Sequence, residues 1–328
     1  MENCTNSLIS RKVKKTKIIT KYRIKYEALD LLRSLKKDYL LYLLLIPFVL
    51  WYIIFMYRPM WGLKIAFVDY NPFKGLSESK WVGLKYFEMY INGPYFLRTV
   101  KNTVLINLYG LIFGFPVPII LAILINEIRN IGYKKVVQTV SYLPHFISVV
   151  VIAGIVKNFL SPSYGIINQI IDLLGGDKIY FLIRPQYFRS IYTSMFIWKD
   201  AGFGAVIYIS ALSMIDVELF DSAVIDGANK LKQIIHITIP SILPTIIIML
   251  ILKIGSLLEV GYEAILLLYQ PATYETSDVI STYVYRLGLE TADYSLAAAV
   301  GLFNSLVGFV LVYFSNKLSN KISQIGLW

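Results

Sequence analysis

Four stretches of the chain lack Asp, Glu, Lys and Arg and are apolar nearly throughout: 39–57, 102–126, 136–156 and 294–316. Roughly 20 apolar residues of helix cross a hydrocarbon layer about 30 Å thick, so each predicts a membrane-spanning helix. Two further stretches, 191–212 and 242–258, are equally apolar but interrupted, the first by the adjacent Lys199 and Asp200 and the second by Lys253. The pattern predicts an all-α polytopic membrane protein with six transmembrane helices. Between the spans, 58–101 reads as an outer loop with turns at Asn71-Pro72 and Gly93-Pro94 and with Trp61, Trp81, Tyr86 and Phe87 suited to the membrane interface. Residues 158–190 carry Pro162, Gly165, Gly175-Gly176 and Pro185, which predict short outer helices joined by turns. Pro144 should kink the third span. Gly110-x-x-x-Gly114 and Gly301-x-x-x-Ser305 predict close helix packing.

Composition agrees: of 328 residues 56% are apolar and only 16% charged, and mean hydropathy is +0.60. An ordinary soluble domain has about 25% charged residues. The net charge of +11 on so apolar a chain points to loops held at anionic lipid before it points to nucleic acid. Eleven of the 32 basic residues lie in 1–38, which places the N-terminus in the cytoplasm. Ile24, Ala28, Leu31 or Leu32, and Leu35 recur at helical spacing among Lys and Arg, as in an amphipathic helix on the inner leaflet. The expected division is a basic segment 1–38, a transmembrane domain 39–316 and a cytoplasmic tail 317–328. Cys4 is the one cysteine, which excludes an intramolecular disulfide and a thiolate metal site.

The inner loop 213–240 is the most informative. Asp216 is a fair helix N-cap, and Leu219, Phe220, Ala223 and Val224 form an apolar ridge on the short helix it opens. Asp226-Gly227 interrupts that helix, Asp226 can cap a second one, and Pro240 marks entry to the next span. An exposed apolar ridge on the inner loop of a membrane protein calls for a partner. The run Asp221-Ser222-Ala223, three residues, Gly227, nine residues from Ala228, then Ile237-Thr238-Ile239-Pro240 resembles the signature of permease subunits of binding-protein-dependent ABC importers, E-A-A, three residues, G, nine residues, I-x-L-P. The spacing matches throughout, with Asp221, Ser222 and Ile239 in place of Glu, Ala and Leu.

Other segments resemble the polysaccharide-type branch of the carbohydrate importers: Trp81 to Phe87, Asn102-Thr103, Tyr142 to Ser148, Gly165 to Asn168, Trp198 to Gly202, Ala223 to Ala228, Thr282 to Arg286 and the ending Gly326-Leu327-Trp328. The resemblance implies a coupling helix around Asp221–Gly227 that docks on an ATPase subunit. It also implies a second permease, two ATPase subunits carrying ATP and magnesium, an extracytoplasmic binding protein and an oligosaccharide cargo, all at the bacterial cytoplasmic membrane. The chain itself has no G-x-x-x-x-G-K-[ST] loop, no H-E-x-x-H and no G-x-S-x-G. It is thus read as a permease that binds no cofactor and is not an enzyme. An ATP-independent carrier or channel is the alternative, and a membrane enzyme for lipid or glycan a third reading.

Polar and aromatic residues inside spans are the candidates for the substrate pathway, since intramembrane charge faces protein or water. They are Tyr142, His145, Phe146, Trp198, Lys199, Asp200, Lys253, Glu259, Tyr262, Glu263 and Asn304. Each has a plainer reading. His145 beside Pro144 can satisfy a carbonyl freed by the kink, Lys253 can snorkel or pair with Asp200, and Tyr262 and Trp198 can belong to the interface belt. Adjacent on a helix, Lys199 and Asp200 point about 100° apart and need not pair. Glu259 and Glu263 could share a helix face. Relatives of the branch handle acidic oligosaccharides, and a buried Lys199 or Lys253 would neutralise a uronate.

Overall fold

The computed structural model describes residues 37–255, 258 and 260–323. The amphipathic N-terminal helix, Ser256, Glu259 and the ending Gly326-Leu327-Trp328 lie outside the described residues. The chain divides into two units between Lys64 and Ile65.

In the first unit the apolar helix α1 begins; its full helical run is Tyr39–Phe67. The side chains of 39–57 are exposed almost without exception, as befits a span whose surroundings are hydrocarbon.

The second unit opens with a hairpin of two short strands, β1 (Val68–Asp69) and β2 (Lys80–Trp81), antiparallel with Val68 opposite Trp81. Its turn starts where Asn71-Pro72 predicts one, Asn71 Oδ1 accepting from the Phe73 amide at 2.9 Å. Then come α2 (Lys85–Ile91) and α3 (Phe96–Asn126), followed by a broken pair α4 (Ile131–Phe146) and α5 (Val149–Phe159), bent by 98°. After the short α6 (Ile166–Leu173) run α7 (Pro185–Leu212), α8 (Val217–Ile225) and α9 (Lys230–Gly255). Short helices α10 (Tyr262–Leu268), α11 (Tyr274–Ser277) and α12 (Ile280–Tyr285) precede the last, α13 (Tyr294–Ser323). Five helical runs are long and apolar enough to cross a membrane, and the broken pair makes a sixth if counted as one span.

The bend exceeds a proline kink, and its local cause is readable. Around Pro144, which has no N–H to donate, the backbone tightens to a 3₁₀ turn over Leu143–Phe146, then extends at Ile147 and Ser148. Ser148 restarts the helix by capping it, its Oγ accepting from the Val151 amide at 3.4 Å. Elsewhere proline is absorbed without a break. Wide i→i−5 turns at Ile53–Tyr57, Gly110–Gly114 and Ile234–Thr238 each end two residues before a proline, Pro59, Pro116 and Pro240. The extra residue carries the chain past the carbonyl that the ring would strike. Pro240 therefore does not open a new span as expected; it lies inside α9, which runs unbroken from Lys230 to Gly255.

Three buried clusters hold the second unit together. One joins α3, α5, α7 and α10 through Ile106, Ile152, Phe188, Tyr192 and Ile265. A second joins α2, α12 and α13 through Tyr86, Tyr90, Ile280, Leu296 and Val300. A third joins α3, α7 and α9 through Ala122, Ala205, Tyr208 and Ile242. Gly202 lets α7 touch α4: a Cβ there would collide with the backbone carbonyl of Ser141. The expected packing role fails for Gly301, where an added Cβ would meet nothing within 4 Å.

Candidate functional site

Two regions stand out: the knuckle between α7 and α9, and a cavity on one side of α7. The knuckle is built by capping. Asp216 Oδ1 accepts from the Glu218 amide at 3.0 Å and opens α8. At the other end Gly227 has φ +72°, a left-handed conformation that side chains resist. From it the Gly227 amide reaches the Val224 carbonyl at 3.0 Å and the Ala228 amide the Ala223 carbonyl at 2.9 Å. This is a Schellman closure, which gives the Ala223-to-Gly227 spacing a physical meaning: three residues separate the helix carbonyl from the glycine that turns the chain back. Asp226 does not cap a second helix. It ends α8, and Asn229 caps α9 instead, its Oδ1 accepting from the Lys232 amide at 2.9 Å. Asp226 is already held as the last residue before the left-handed turn, three residues too early to cap.

Along α8, Leu219, Asp221, Ser222 and Val224 are exposed, and Ile225 is 87% exposed, while Phe220 and Ala223 are half-buried. Met214, in the turn before α8, is likewise 87% exposed. Lys230 ties the returning chain to the end of α3 by an ion pair with Glu127 at 3.0 Å.

The cavity has a volume of about 540 Å³ and runs along α7 from Tyr192 to Tyr208, facing α3 and α9. Of the expected pathway residues that are described, Asp200 and Lys253 alone line it. Its other polar groups, Asn107, Tyr192, Thr193 and Tyr208, are not in the expected set; a hydroxyl or amide one helical turn from another on an apolar helix is the signal that would find them. Gly110 and Gly114 also line the wall. At Gly110 a Cβ would meet nothing within 4 Å and at Gly114 only Ile197, at 3.6 Å, so this pair opens space and does not bring helices together.

Asp200 joins the cavity to the broken span. Its Oδ1 lies 2.9 Å from His145 Nδ1 and accepts from Lys199 Nζ at 3.3 Å, and that same Nζ donates to the His145 carbonyl at 2.8 Å. Lys199 and Asp200 do pair, because the long lysine side chain folds back over the turn. The freed carbonyl at the bend finds an ammonium and not, as expected, the imidazole. The His145 ring instead stacks on Phe203 at 4.1 Å between centroids, with Phe146 edge-on to both. A cation at the C-terminal end of α4 also opposes the negative pole of that helix.

The remaining candidates lie elsewhere. Tyr142 is half-buried, Trp198 is exposed, and neither lines the cavity. Tyr262 stacks on Tyr285 at 5.8 Å. Tyr262 and Glu263 open α10, directly after a non-helical Gly261. Asn304 donates to the Leu258 carbonyl at 3.3 Å, while its Oδ1 is buried without a partner. No cluster of metal-ligating side chains occurs among the described residues.

Residues 114–322 match the family model described as binding-protein-dependent transport system inner membrane component. Protein LplB of Bacillus subtilis is 42% identical over 90% of this chain and 93% of its own. The polygalacturonan/rhamnogalacturonan transport system permease protein YteP of the same organism is 41% identical over 91% and 92%. Among solved structures, a chain of a bacterial alginate ABC transporter, crystallised in complex with alginate pentasaccharide-bound periplasmic protein, superposes with a TM-score of 0.83 at 47% identity, covering 90% of this chain and 99% of that one. A bundle of apolar helices, a glycine-closed knuckle at the signature spacing and relatives matched over nine-tenths of their length lead to one assignment: the chain belongs to the inner membrane components of binding-protein-dependent transport systems, and is an ABC importer permease of the bacterial cytoplasmic membrane.

Proposed function

We propose that this permease works with a second permease, two ATPase subunits and an extracytoplasmic binding protein to import an acidic oligosaccharide. The observation that carries the reading is the knuckle: a rigidly capped nine-residue helix whose apolar face stays exposed beyond the end of a long span. Burying that face on a nucleotide-binding partner recovers roughly 25 cal/mol per Å² of apolar surface. The continuous helix α9 then carries any displacement of the partner into the membrane. ATP and magnesium belong to those partners, the N-terminus faces the cytoplasm, and the α7 cavity forms one wall of the translocation pathway. The acidic cargo is inferred from relatives named for alginate and polygalacturonan.

Reconstitution of the full complex tests the reading. ATPase subunits are expected to co-purify, and Asp221→Lys or Gly227→Pro is expected to abolish binding-protein-stimulated transport while the spans still assemble. Transport that survives both variants, or that proceeds with no ATPase subunit present, would overturn the coupling role and favour an ATP-independent carrier.

A further inference from the structure

The short segments between α9 and α13 contain a charge cluster that neither the knuckle nor the cavity uses. Asp278 is fully buried. Arg98 Nη2 lies 2.6 Å from its Oδ2, and Arg286 approaches both carboxylate oxygens at 2.8 Å. A third arginine, Arg189, donates from Nη2 to Asn102 Oδ1 at 2.9 Å, and Asn102 in turn donates to the carbonyls of Asp278 and Glu275, each at 3.0 Å. Two guanidinium groups thus share one carboxylate, and a third is held beside them through Asn102. Among the described residues Arg189 has no acidic partner, and the Glu275 side chain is exposed without an ion pair to any of the three. The Nε donors of Arg98 and Arg189 are buried with no acceptor. Partly buried positive charge in excess attracts an anion strongly, because the local dielectric is low and water compensates little.

Placement gives the cluster a task. Arg189 lies four residues before Thr193 on α7, and Asn102 four residues before Ile106 on α3; Thr193 and Ile106 both line the cavity. Four residues of helix rise about 6 Å, so Arg189 and Asn102 sit about one turn beyond one end of the cavity, with Arg98 a further turn along α3 and Arg286 joined to it through Asp278. Aromatic faces accompany them, with Tyr95 5.0 Å from the Arg98 guanidinium and Tyr274 and Tyr283 at 5.1 and 5.8 Å from that of Arg286. Such faces suit the C–H surfaces of sugar rings, and a guanidinium fork suits a carboxylate. Lys199, by contrast, is already engaged by Asp200 and the His145 carbonyl.

We infer that Arg98, Arg189 and Arg286 form a carboxylate-recognition site at the mouth of the cavity, where a uronate unit of the cargo is bound as it enters. The inference rests on the importer reading and names the residues that select an acidic cargo within it.

The test uses the reconstituted complex with its binding protein and two probes, trigalacturonate and its full methyl ester, in which each carboxylate is replaced by an uncharged methyl ester. The quantity read is the ratio of ATPase stimulation by the acid to stimulation by the ester. The unmodified complex is expected to favour the acid. Arg189→Gln should lower the ratio about tenfold, the effect of losing one charge-assisted hydrogen bond, and Arg189→Lys should hold it within about threefold. Arg98→Gln should give the same shift, and it serves if Arg189→Gln does not assemble. A ratio unchanged in both glutamine variants, or an unmodified complex with no preference for the acid, overturns the site. A complex in which no sugar-loaded binding protein stimulates ATPase overturns the importer reading itself, a distinct outcome.

Discussion

At the residue scale, the chemistry that matters depends on side chains whose partners are far away in sequence. Charge inside an apolar stretch is visible in the chain, so Lys199, Asp200 and Lys253 could be singled out; which carbonyl or imidazole they would meet could not. That depends on the bend in the broken span, which brings His145 to α7 across 55 residues. The arginine cluster was less legible still. Arg98, Arg189 and Arg286 lie in or beside segments that read as loops, and only the fold brings Arg98 and Arg286 onto Asp278 and Arg189 beside them through Asn102. The lysine contact gives a direct prediction. Lys199→Met leaves the His145 carbonyl at the bend without its donor, which should cost about 1–3 kcal/mol. The effect should appear as a lowered unfolding midpoint of the detergent-solubilised permease, and Lys199→Arg should recover most of it. An unchanged midpoint for Lys199→Met would show that the bend stands without that bond.

At the element scale, spans one, two and six were legible because uninterrupted apolar length is a sufficient signal, and the knuckle because capping residues and glycine mark its ends. Asp226 and Pro240 misled for local reasons: Asn229 competes for the cap, and a wide turn lets α9 continue through the proline. The hairpin was hidden because two-residue strands have no periodicity to read. It is fastened by side chains, with Ser295 Oγ donating to the Val68 carbonyl at 2.7 Å and Tyr86 donating its hydroxyl to Asp69 Oδ1 at 2.8 Å. Burial, reinforced by that carboxylate, pushes the Tyr86 phenol up to about 12. A phenol whose pKa is raised in the folded state stabilises fully below its ordinary value near 10 and loses that contribution as pH rises from there through about 12. Hydrogen exchange of the 68–91 segment should therefore accelerate between pH 10 and 12 beyond the intrinsic rise, and Tyr86→Phe should remove this excess acceleration.

At the scale of the whole molecule, the fold class followed from length and apolarity, whereas the proposed orientation rests on where the basic residues fall. The single cysteine offers a check with no engineering. In intact cells a membrane-impermeant maleimide should fail to label Cys4, and should label it once the membrane is opened; labelling from outside would reverse the orientation and place the knuckle away from any cytosolic motor. The wide turns ahead of Pro59, Pro116 and Pro240 act at this scale too. Each adds one residue to a helix, and one residue is about 100° of rotation. Deleting a single position within 110–114 would swing everything downstream on α3 around its axis. Ile106 and Asn107 would keep their places in the wall while Phe115 and Pro118 turned elsewhere. The bundle therefore has a phase as well as a length, and homologues that gain or lose a residue at these turns must change the proline with it or line a different channel.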